Sequence, residues 1–404
     1  MRTLYTTPVL AYPASGGPSL RVKNSIIALD KVSELHVVAR LPLDSIGGIN
    51  AQEFYERHCQ SFSFSPSAYA PEPNRGSNYA WTRIISRKKD GLLTRDSAFI
   101  LRCVREHSID IAWCGFGNIS FGLIRALKHE EPTLKVVCDT DSVLSRFILR
   151  ELPYEHSLRR KRQIYKAGKK KEREERKWVN LADVTTAVSE VDAAYYRDLA
   201  KEPNRIKIFS NVVDLDAYAR PPARDCSHLK PFIYLAGTFW PNSPMHKAAR
   251  WVIERVLPIV QERIPNVHLV ILGSGSVEAL SGITALNIAI VGNVRTVLPY
   301  LCQADVSIVP LFFESGTRFK ILEAGACGIP VVSTTLGAEG IPVTHGKDIM
   351  IADTPTEFAR AIESIIEDKE YAREIADNLR KLVQTKYGIE TLQKEAQEII
   401  RFLS

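Results

Sequence analysis

The sequence predicts an α/β protein of two consecutive doubly wound, Rossmann-like domains with a cleft between them. Short Val- and Ile-rich runs alternate with amphipathic stretches of helical length, the pattern of a parallel sheet covered on both faces. That pattern stops near Asn211-Val212-Val213-Asp214 and restarts after a polar stretch with Pro221, Pro222 and Asp225 to Lys230. The length of 404 residues exceeds one ordinary core and suits two domains of about 200 residues each. The expected boundaries are 1–213 for the first domain, 214–385 for the second, and 386–404 for a terminal helix that can pack back on the first.

In the first half, Met1 to Leu10 reads as a strand rather than a signal peptide, because no apolar stretch or small-residue cleavage site follows. Ala14-Ser15-Gly16-Gly17-Pro18-Ser19 leads into a helix over about 20–29. Strands are expected at 35–38, 109–113, 135–138, 184–188 and 205–209, with helices at 97–106 and 121–129. The aromatic, Ser/Pro-rich and then basic stretch 54–89 reads as long loops with a helix. In the second half strands are expected at 232–236, 268–272, 288–291, 306–310, 330–333 and 348–351. Helices are expected at 247–263 and 319–327, and from 355 to the end.

Hydrophobic residues make up 45% and charged residues 25%, the balance of a soluble globular protein, and no apolar run is long enough to span a bilayer. The seven cysteines are scattered, and none forms a CxxC pair. Neither a zinc site nor a disulfide framework is supported, and a reducing cytoplasm is the expected location. The net charge of +7 is uneven: residues before 213 carry about +10 and the remainder is slightly acidic. An anionic partner for the first half follows: a membrane surface, a nucleic acid or a phosphorylated substrate.

The most informative segment lies in the second half. After the strand at 306–310 comes a loop, then a helix closed by Gly328. The helix starts near Ser315-Gly316-Thr317-Arg318, where backbone N–H groups favour an anion and Gly316 lets a ligand approach the chain. Arg318 and Lys320 add positive charge. Lys320 and Glu323 share one helix face, and a carboxylate there can accept hydrogen bonds from both hydroxyls of a ribose. These are the parts of a site for a sugar diphosphate. The plain alternative is a surface helix with a Lys320–Glu323 ion pair.

The wording of Glu314-Ser315-Gly316-Thr317-Arg318-Phe319-Lys320-Ile321-Leu322-Glu323-Ala324, continuing to Thr334, resembles the signature of the family 4 (group 1) retaining glycosyltransferases of GT-B fold. Gly237-Thr238-Phe239-Trp240-Pro241-Asn242 is similar to that family's first donor-domain loop. Leu272-Gly273-Ser274-Gly275 and Val291-Gly292-Asn293-Val294 are similar to the next two, and Gly337-Ala338-Glu339-Gly340-Ile341 to the turn after the signature. The resemblance is specific over 232–345. It implies a C-terminal domain that binds a nucleotide-diphosphate sugar and an N-terminal domain that binds the acceptor. By that resemblance Glu323 holds the ribose, and Glu314, Ser315, Gly316 and Thr317 face the sugar and distal phosphate. Arg318 and Lys320 neutralise the diphosphate and act in catalysis. Gly237, Asn242, Gly273, Gly275, Gly292 and Val294 line the donor, with the backbone at 291–294 receiving the base. The chain departs from the pattern in two places. Ser315 occupies the position of the family's first glutamate, with Glu314 one residue earlier. Of the family's Arg-then-Lys pair near the start of the donor domain, Lys247 alone has a counterpart, and it can equally be a solvated helix residue.

In the first half, Gly16-Gly17 is similar to the family's N-terminal glycine loop, and with Arg21 it is expected to close over the donor diphosphate. Val136-Val137-Cys138-Asp139-Thr140-Asp141-Ser142 puts two carboxylates beyond a strand end. Asp-x-Asp also marks a metal site in the other major glycosyltransferase fold, but no metal and no cofactor are expected here. Asp141, at a place where related sequences often carry His, is the catalytic candidate that orients the acceptor hydroxyl or takes its proton. Asp139 stays open as the alternative, and capping of the next helix is the structural reading. The run from Arg159 to Lys177 holds Arg159-Arg160-Lys161-Arg162, Lys166, Lys169-Lys170-Lys171, Arg173 and Arg176-Lys177, broken by three glutamates. It reads either as a solvated helix face or as an attachment to anionic lipid at the inner face of the membrane. No recognised nucleic-acid module accompanies it. The expected activity is transfer of a hexose-type sugar to a sugar, lipid-linked or protein acceptor in polysaccharide, glycolipid or glycoconjugate synthesis. A sugar-nucleotide epimerase or hydrolase and a non-catalytic nucleotide-sugar-binding scaffold are the rivals.

Overall fold

A computed structural model describes residues 1–66, 90–219 and 226–404. Most of the expected loop-and-helix region before Lys89, and the linker positions Pro221, Pro222 and Asp225, lie outside the described residues. The chain divides into two compact units. The first comprises Met1–Val212 together with Ile389–Ser404, and the second Val213–Gly388.

Unit 1 runs β1 (Arg2–Thr7), α1 (Gly17–Asp30), β2 (Glu34–Ala39), β3 (Ser61–Phe64), α2 (Asp90–Glu106), β4 (Ile111–Gly115), α3 (Phe121–Glu130), β5 (Lys135–Asp139), α4 (Leu144–Leu149), α5 (Leu158–Val179), β6 (Val184–Ala187), α6 (Glu190–Leu199) and β7 (Ile206–Ile208). Its parallel sheet has the order β3-β2-β1-β4-β5-β6-β7. Strand order reverses between β1 and β4, the crevice where doubly wound sheets bind ligands. Successive side chains of the central strands feed opposite faces, as strand geometry requires. Tyr5, Trp113 and Val137 join one core cluster, while Leu4, Ala112, Cys114, Val136 and Cys138 join the other.

β3 departs from the expected loop. Ser61-Phe62-Ser63-Phe64 pairs with β2 at the sheet edge, and Phe62 and Phe64 pack on the first cluster. Alternating Ser and Phe satisfies an edge strand with one covered face, a pattern unlike the Val/Ile runs of the other strands.

Unit 2 begins with α7 (Leu215–Ala219) and continues through β8 (Phe232–Ala236), α8 (Pro244–Trp251), α9 (Leu257–Arg263), β9 (His268–Leu272), β10 (Ile288–Gly292), β11 (Val306–Val309), α10 (Phe319–Cys327), β12 (Val331–Ser333), β13 (Met350–Ile351), α11 (Pro355–Glu367) and α12 (Lys369–Lys386). All six strands are parallel in the order β10-β9-β8-β11-β12-β13, so this sheet reverses between β8 and β11. The helix expected at 247–263 is interrupted by a π turn, Val252–Val256. Pro258 follows it; a proline ring clashes with the carbonyl four residues back in a regular helix, and a wider turn relieves that clash.

The last helix, α13 (Ile389–Leu403), returns to unit 1. Leu392, Ala396, Ile399, Ile400 and Leu403 form its buried stripe and enter the core cluster that holds Val22, Ile26 and Leu29 of α1. Its Glu395 accepts hydrogen bonds from the Ser210 N–H and hydroxyl, both at 2.7 Å. Among the described residues no helix is long and apolar enough to cross a membrane.

Candidate active site

The loops singled out in the second half meet at the switch point of unit 2. Beyond the ends of β8, β9 and β10 the chain is tied backbone to backbone. Gly237 N–H donates to Leu272 O at 3.0 Å, Gly273 N–H to Gly292 O at 2.7 Å, and Phe239 N–H to Ser274 O at 2.8 Å. This contact dictates glycine. At Gly273, with φ +124°, a Cβ would stand 1.7 Å from Gly237 O; at Gly275 it would stand 2.1 Å from Phe239 O. The result is a continuous rim of main chain, with Val294 half-buried just past Gly292. Asn242 is exposed in the left-handed region at φ 63°. Ser243 then caps α8 by accepting from His246 N–H at 3.0 Å. Lys247, one turn in, sets its ammonium 4.9 Å from the centre of the Phe313 ring. That contact joins α8 to the loop after β11, so Lys247 is not simply a solvated helix residue.

In that loop Ser315, Gly316, Thr317 and Arg318 are buried and Glu314 is half-buried. Gly316 takes φ +84°. The Arg318 guanidinium folds back onto the main chain, donating to Gly316 O and, at 3.4 Å, to Leu336 O. It thereby ties the loop to the turn containing Gly337. α10 starts at the next residue with no side-chain cap and no acidic residue in its first turn, so its positive dipole end is not offset locally. Gly328 closes the helix in the left-handed region, its N–H donating to Ala324 O and Gly325 O.

Lys320, on the first turn, is half-buried. Burial lowers its pKa from the usual lysine value; Glu314 and Glu323 oppose that shift, and Arg318 adds to it. Glu323, one turn on, accepts a 2.9 Å hydrogen bond from the Tyr218 hydroxyl. Burial raises the Glu323 carboxyl above the usual carboxylate value, and the Tyr218 hydrogen bond and Lys320 hold it partly down. Tyr218 is a site residue that sequence reasoning missed. It lies on α7, 105 residues before its partner, and no local pattern marks it.

Unit 1 has its own cluster at the β1/β4 switch point. Gly16, at φ 76° and ψ 154°, is the N-cap of α1, whose start has no side-chain cap. Open space surrounds the position a Gly16 Cβ would take, and Gly17 begins the helix. Arg21 does not point its charge outward. It is 3% exposed, ion-paired with Asp139, and donates to Phe209 O at 3.1 Å and Asn211 Oδ1 at 2.8 Å. Its guanidinium is thus committed to pinning α1 to β5 and the segment that follows β7. Arg21→Met leaves the fully buried Asp139 without its counter-ion, and unfolding by urea is expected to give a loss of about 3–5 kcal/mol.

Asp139 also accepts from the Thr186 hydroxyl at 2.7 Å, which leaves Asp141 as the accessible carboxylate of the pair. Asp141 is half-buried and accepts from Asn118 Nδ2 at 2.9 Å. Burial raises its pKa; the Asn118 hydrogen bond and the Arg21 charge oppose the rise. Asn118, a second residue missed in the sequence, sits in the short turn after β4, and its carbonyl accepts from Lys171 Nζ at 2.8 Å. Among the described residues no group of three or more His, Cys, Asp or Glu is arranged to hold a metal ion.

The basic run forms α5. Ile164, Gly168, Glu175 and Trp178 make its buried face, where a Cβ on Gly168 would meet Leu149 Cδ2 at 2.4 Å. Glu175 accepts from Ser145 N–H at 2.9 Å and Tyr195 OH at 3.0 Å. Arg159, Arg160, Arg162, Lys166, Lys170, Arg173, Arg176 and Lys177 are exposed. Lys171 is turned inward to the Asn118 loop and Lys169 pairs with Glu172 at 2.6 Å, so the free charge is less than the run suggests.

Comparison with known proteins bears on the family and the fold. The family model described as Glycosyl transferases group 1 matches residues 230–368. An uncharacterized 44.6 kDa protein in the cps region of Klebsiella pneumoniae is 26% identical over 164 residues, which cover 38% of this chain and 42% of that one. The phosphatidyl-myo-inositol mannosyltransferase of Propionibacterium freudenreichii is 31% identical over 87 residues, 22% of each chain. The chain thus spans less than half the length of these curated relatives. The crystal structure of Anabaena HepE in complex with UDP and glucose is 18% or less identical in its several forms; the UDP and glucose complex aligns at 15% identity with a TM-score of 0.65, covering 99% of both chains. That likeness establishes the two-sheet GT-B architecture.

Proposed function

We propose that this chain, whose residues 230–368 match the family model of the group 1 glycosyl transferases, moves a hexose-type sugar from a nucleotide-diphosphate sugar to an acceptor hydroxyl, with retention at the anomeric carbon and without a metal. The observation that carries the reading is the convergence at the β8/β11 switch point of three features. These are the main-chain rim of Gly237, Gly273 and Gly292, the uncapped start of α10, and the Lys320–Glu323 face. A nucleoside fits the rim, its ribose meets Glu323, and the diphosphate meets the helix start and Lys320. As the bond from the anomeric carbon to the phosphate oxygen breaks, the leaving diphosphate keeps the electron pair, and those fixed positive groups stabilise the growing charge. Arg318, folded onto Gly316 and Leu336, acts by shaping the loop. The acceptor is assigned to unit 1, where Asp141 orients its hydroxyl or takes the proton. UDP bound to Anabaena HepE makes a UDP-sugar the first donor to test.

The exposed basic residues of α5 extend the reading to acceptors carried on anionic lipid, each residue near such a surface contributing about 1 kcal/mol. A role in polysaccharide or glycolipid assembly at the inner face of the membrane follows from that.

Glu323→Ala tests the donor site. It removes the ribose acceptor and is expected to weaken binding of the matching nucleoside diphosphate about ten- to a hundredfold, read by calorimetry alongside a screen of UDP-, GDP-, dTDP- and ADP-sugars. Unchanged binding and transfer would place the donor elsewhere. Turnover of donor without any acceptor would favour the epimerase or hydrolase instead.

A further inference from the structure

The cysteines, scattered in sequence, are not scattered in space. Cys302 follows the short helix Leu298–Leu301, and Cys327 is the last residue of α10. Their sulfurs lie 3.1 Å apart, linked by a thiol hydrogen bond, and both residues are partly exposed. Both are free thiols, 25 positions apart in sequence and adjacent in space. Arg380 donates to Cys327 O at 2.9 Å; the hydrogen bond with Cys327 lowers the pKa of the Cys302 thiol, with burial opposing and the Arg380 charge assisting, whereas the same bond and burial raise that of the Cys327 thiol. The other cysteines differ. Cys114 and Cys138 are register partners on β4 and β5 but fully buried. Cys103 and Cys226 are buried as well. Cys59 donates to Tyr55 O at 3.2 Å, and burial pushes its thiol up to about 12.

We propose that Cys302 and Cys327 form an oxidation site that closes to an intramolecular disulfide when a two-electron thiol oxidant reaches the protein. A disulfide needs its sulfurs at about 2.05 Å, so closure asks for a movement of about 1 Å at the tips of two side chains. With an azo oxidant such as diamide, the Cys302 thiolate adds to one nitrogen of the N=N bond. The Cys327 sulfur then attacks the Cys302 sulfur, the S–S bond forms as the S–N bond breaks, and both thiol protons end on the hydrazine product. Cys327 lies one helical turn after Glu323 on α10, so the crosslink would anchor the far end of the helix that bears Lys320 and Glu323.

The test uses the full chain, reduced and freed of reductant, treated with a small excess of diamide and mapped by mass spectrometry of unreduced peptides. The expected result is one linked peptide pair joining Cys302 to Cys327 and a loss of two of the seven thiols, both reversed by dithiothreitol. Cys302→Ser and Cys327→Ser are each expected to abolish the linked pair while keeping the melting midpoint of the reduced protein. Oxidation of other thiols ahead of this pair, or accumulation of a mixed disulfide on Cys302 in a glutathione buffer with no crosslink, would overturn the proposal. Should a serine variant fail to fold, the wild-type map decides by itself.

Discussion

Lys320→Met is expected to cut kcat about a hundred- to a thousandfold, the usual cost of removing one fixed positive group from a developing oxyanion. The substitution keeps the stem of the side chain and removes its charge, so α10 and the packing around Phe319 and Ile321 stay in place. The pH dependence separates a chemical role from a structural one. Burial lowers the Lys320 pKa, and in the proposed reaction the ammonium form is the one that stabilises the leaving diphosphate. Wild-type activity is therefore expected to fall on the alkaline side at a pH below the ordinary lysine value of 10.5, as the charge is lost. Lys320→Arg, which stays charged, should move that limb upward. Equal loss in the Met and Arg variants, with no change in the alkaline limb, would remove Lys320 from the chemistry.

Asp141→Asn is the second large effect, with an expected loss of about a hundredfold or more in kcat/KM for the acceptor. Donor binding should stay unchanged, because the proposed role of Asp141 is toward the acceptor hydroxyl. The Asn118 amide already donates to Asp141 Oδ1, and the shape of asparagine keeps that contact while ending proton acceptance. Burial raises the Asp141 pKa above its usual 3.8. A base must be ionised to act, so activity should rise with pH through that raised value and be lost as pH falls back through it. The acid limb should vanish in the variant. Asn118→Ala is a useful companion, since it removes one of the groups holding the Asp141 pKa down and should shift the acid limb to higher pH. A variant at Asp141 with full activity and an intact acid limb would leave helix capping as the role of this carboxylate.

The fold was legible where local chemistry decides it. Val306–Val309, Phe319–Cys327 and the Gly328 stop could be read because a buried strand, a glycine-rich turn and a left-handed cap each leave a mark within a few residues. The glycines at 273, 275 and 292 could be picked out as a group, although the reason for two of them, the approach of Gly237 O and Phe239 O, is visible only in three dimensions. What stayed hidden depends on distant partners. Tyr218 reaches Glu323 across 105 residues, and Arg21 meets Asp139 across 118. A cation beside a glycine loop looks the same in sequence whether it awaits a phosphate or is already paired. The Ser-Phe alternation of β3 and the proximity of Cys302 to Cys327 were missed for the same reason, since each takes its meaning from a neighbouring element.

The return of α13 to unit 1 makes the two units unequal as pieces of chain. Unit 2 is one uninterrupted segment, Val213–Gly388, whereas unit 1 is written in two parts on either side of it. Unit 2 is thus a parenthesis within unit 1, and the two can be edited differently. A gene fragment for Val213–Gly388 carries its whole sheet, but one that ends at Val212 omits the apolar stripe that covers α1. Rebuilding unit 1 alone calls for a chain in which Ile389–Ser404 is joined after Val212 or, by permutation, ahead of Met1. For the same reason, an exchange of unit 2 between relatives is cleanest when both junctions, at 212/213 and 388/389, are moved together.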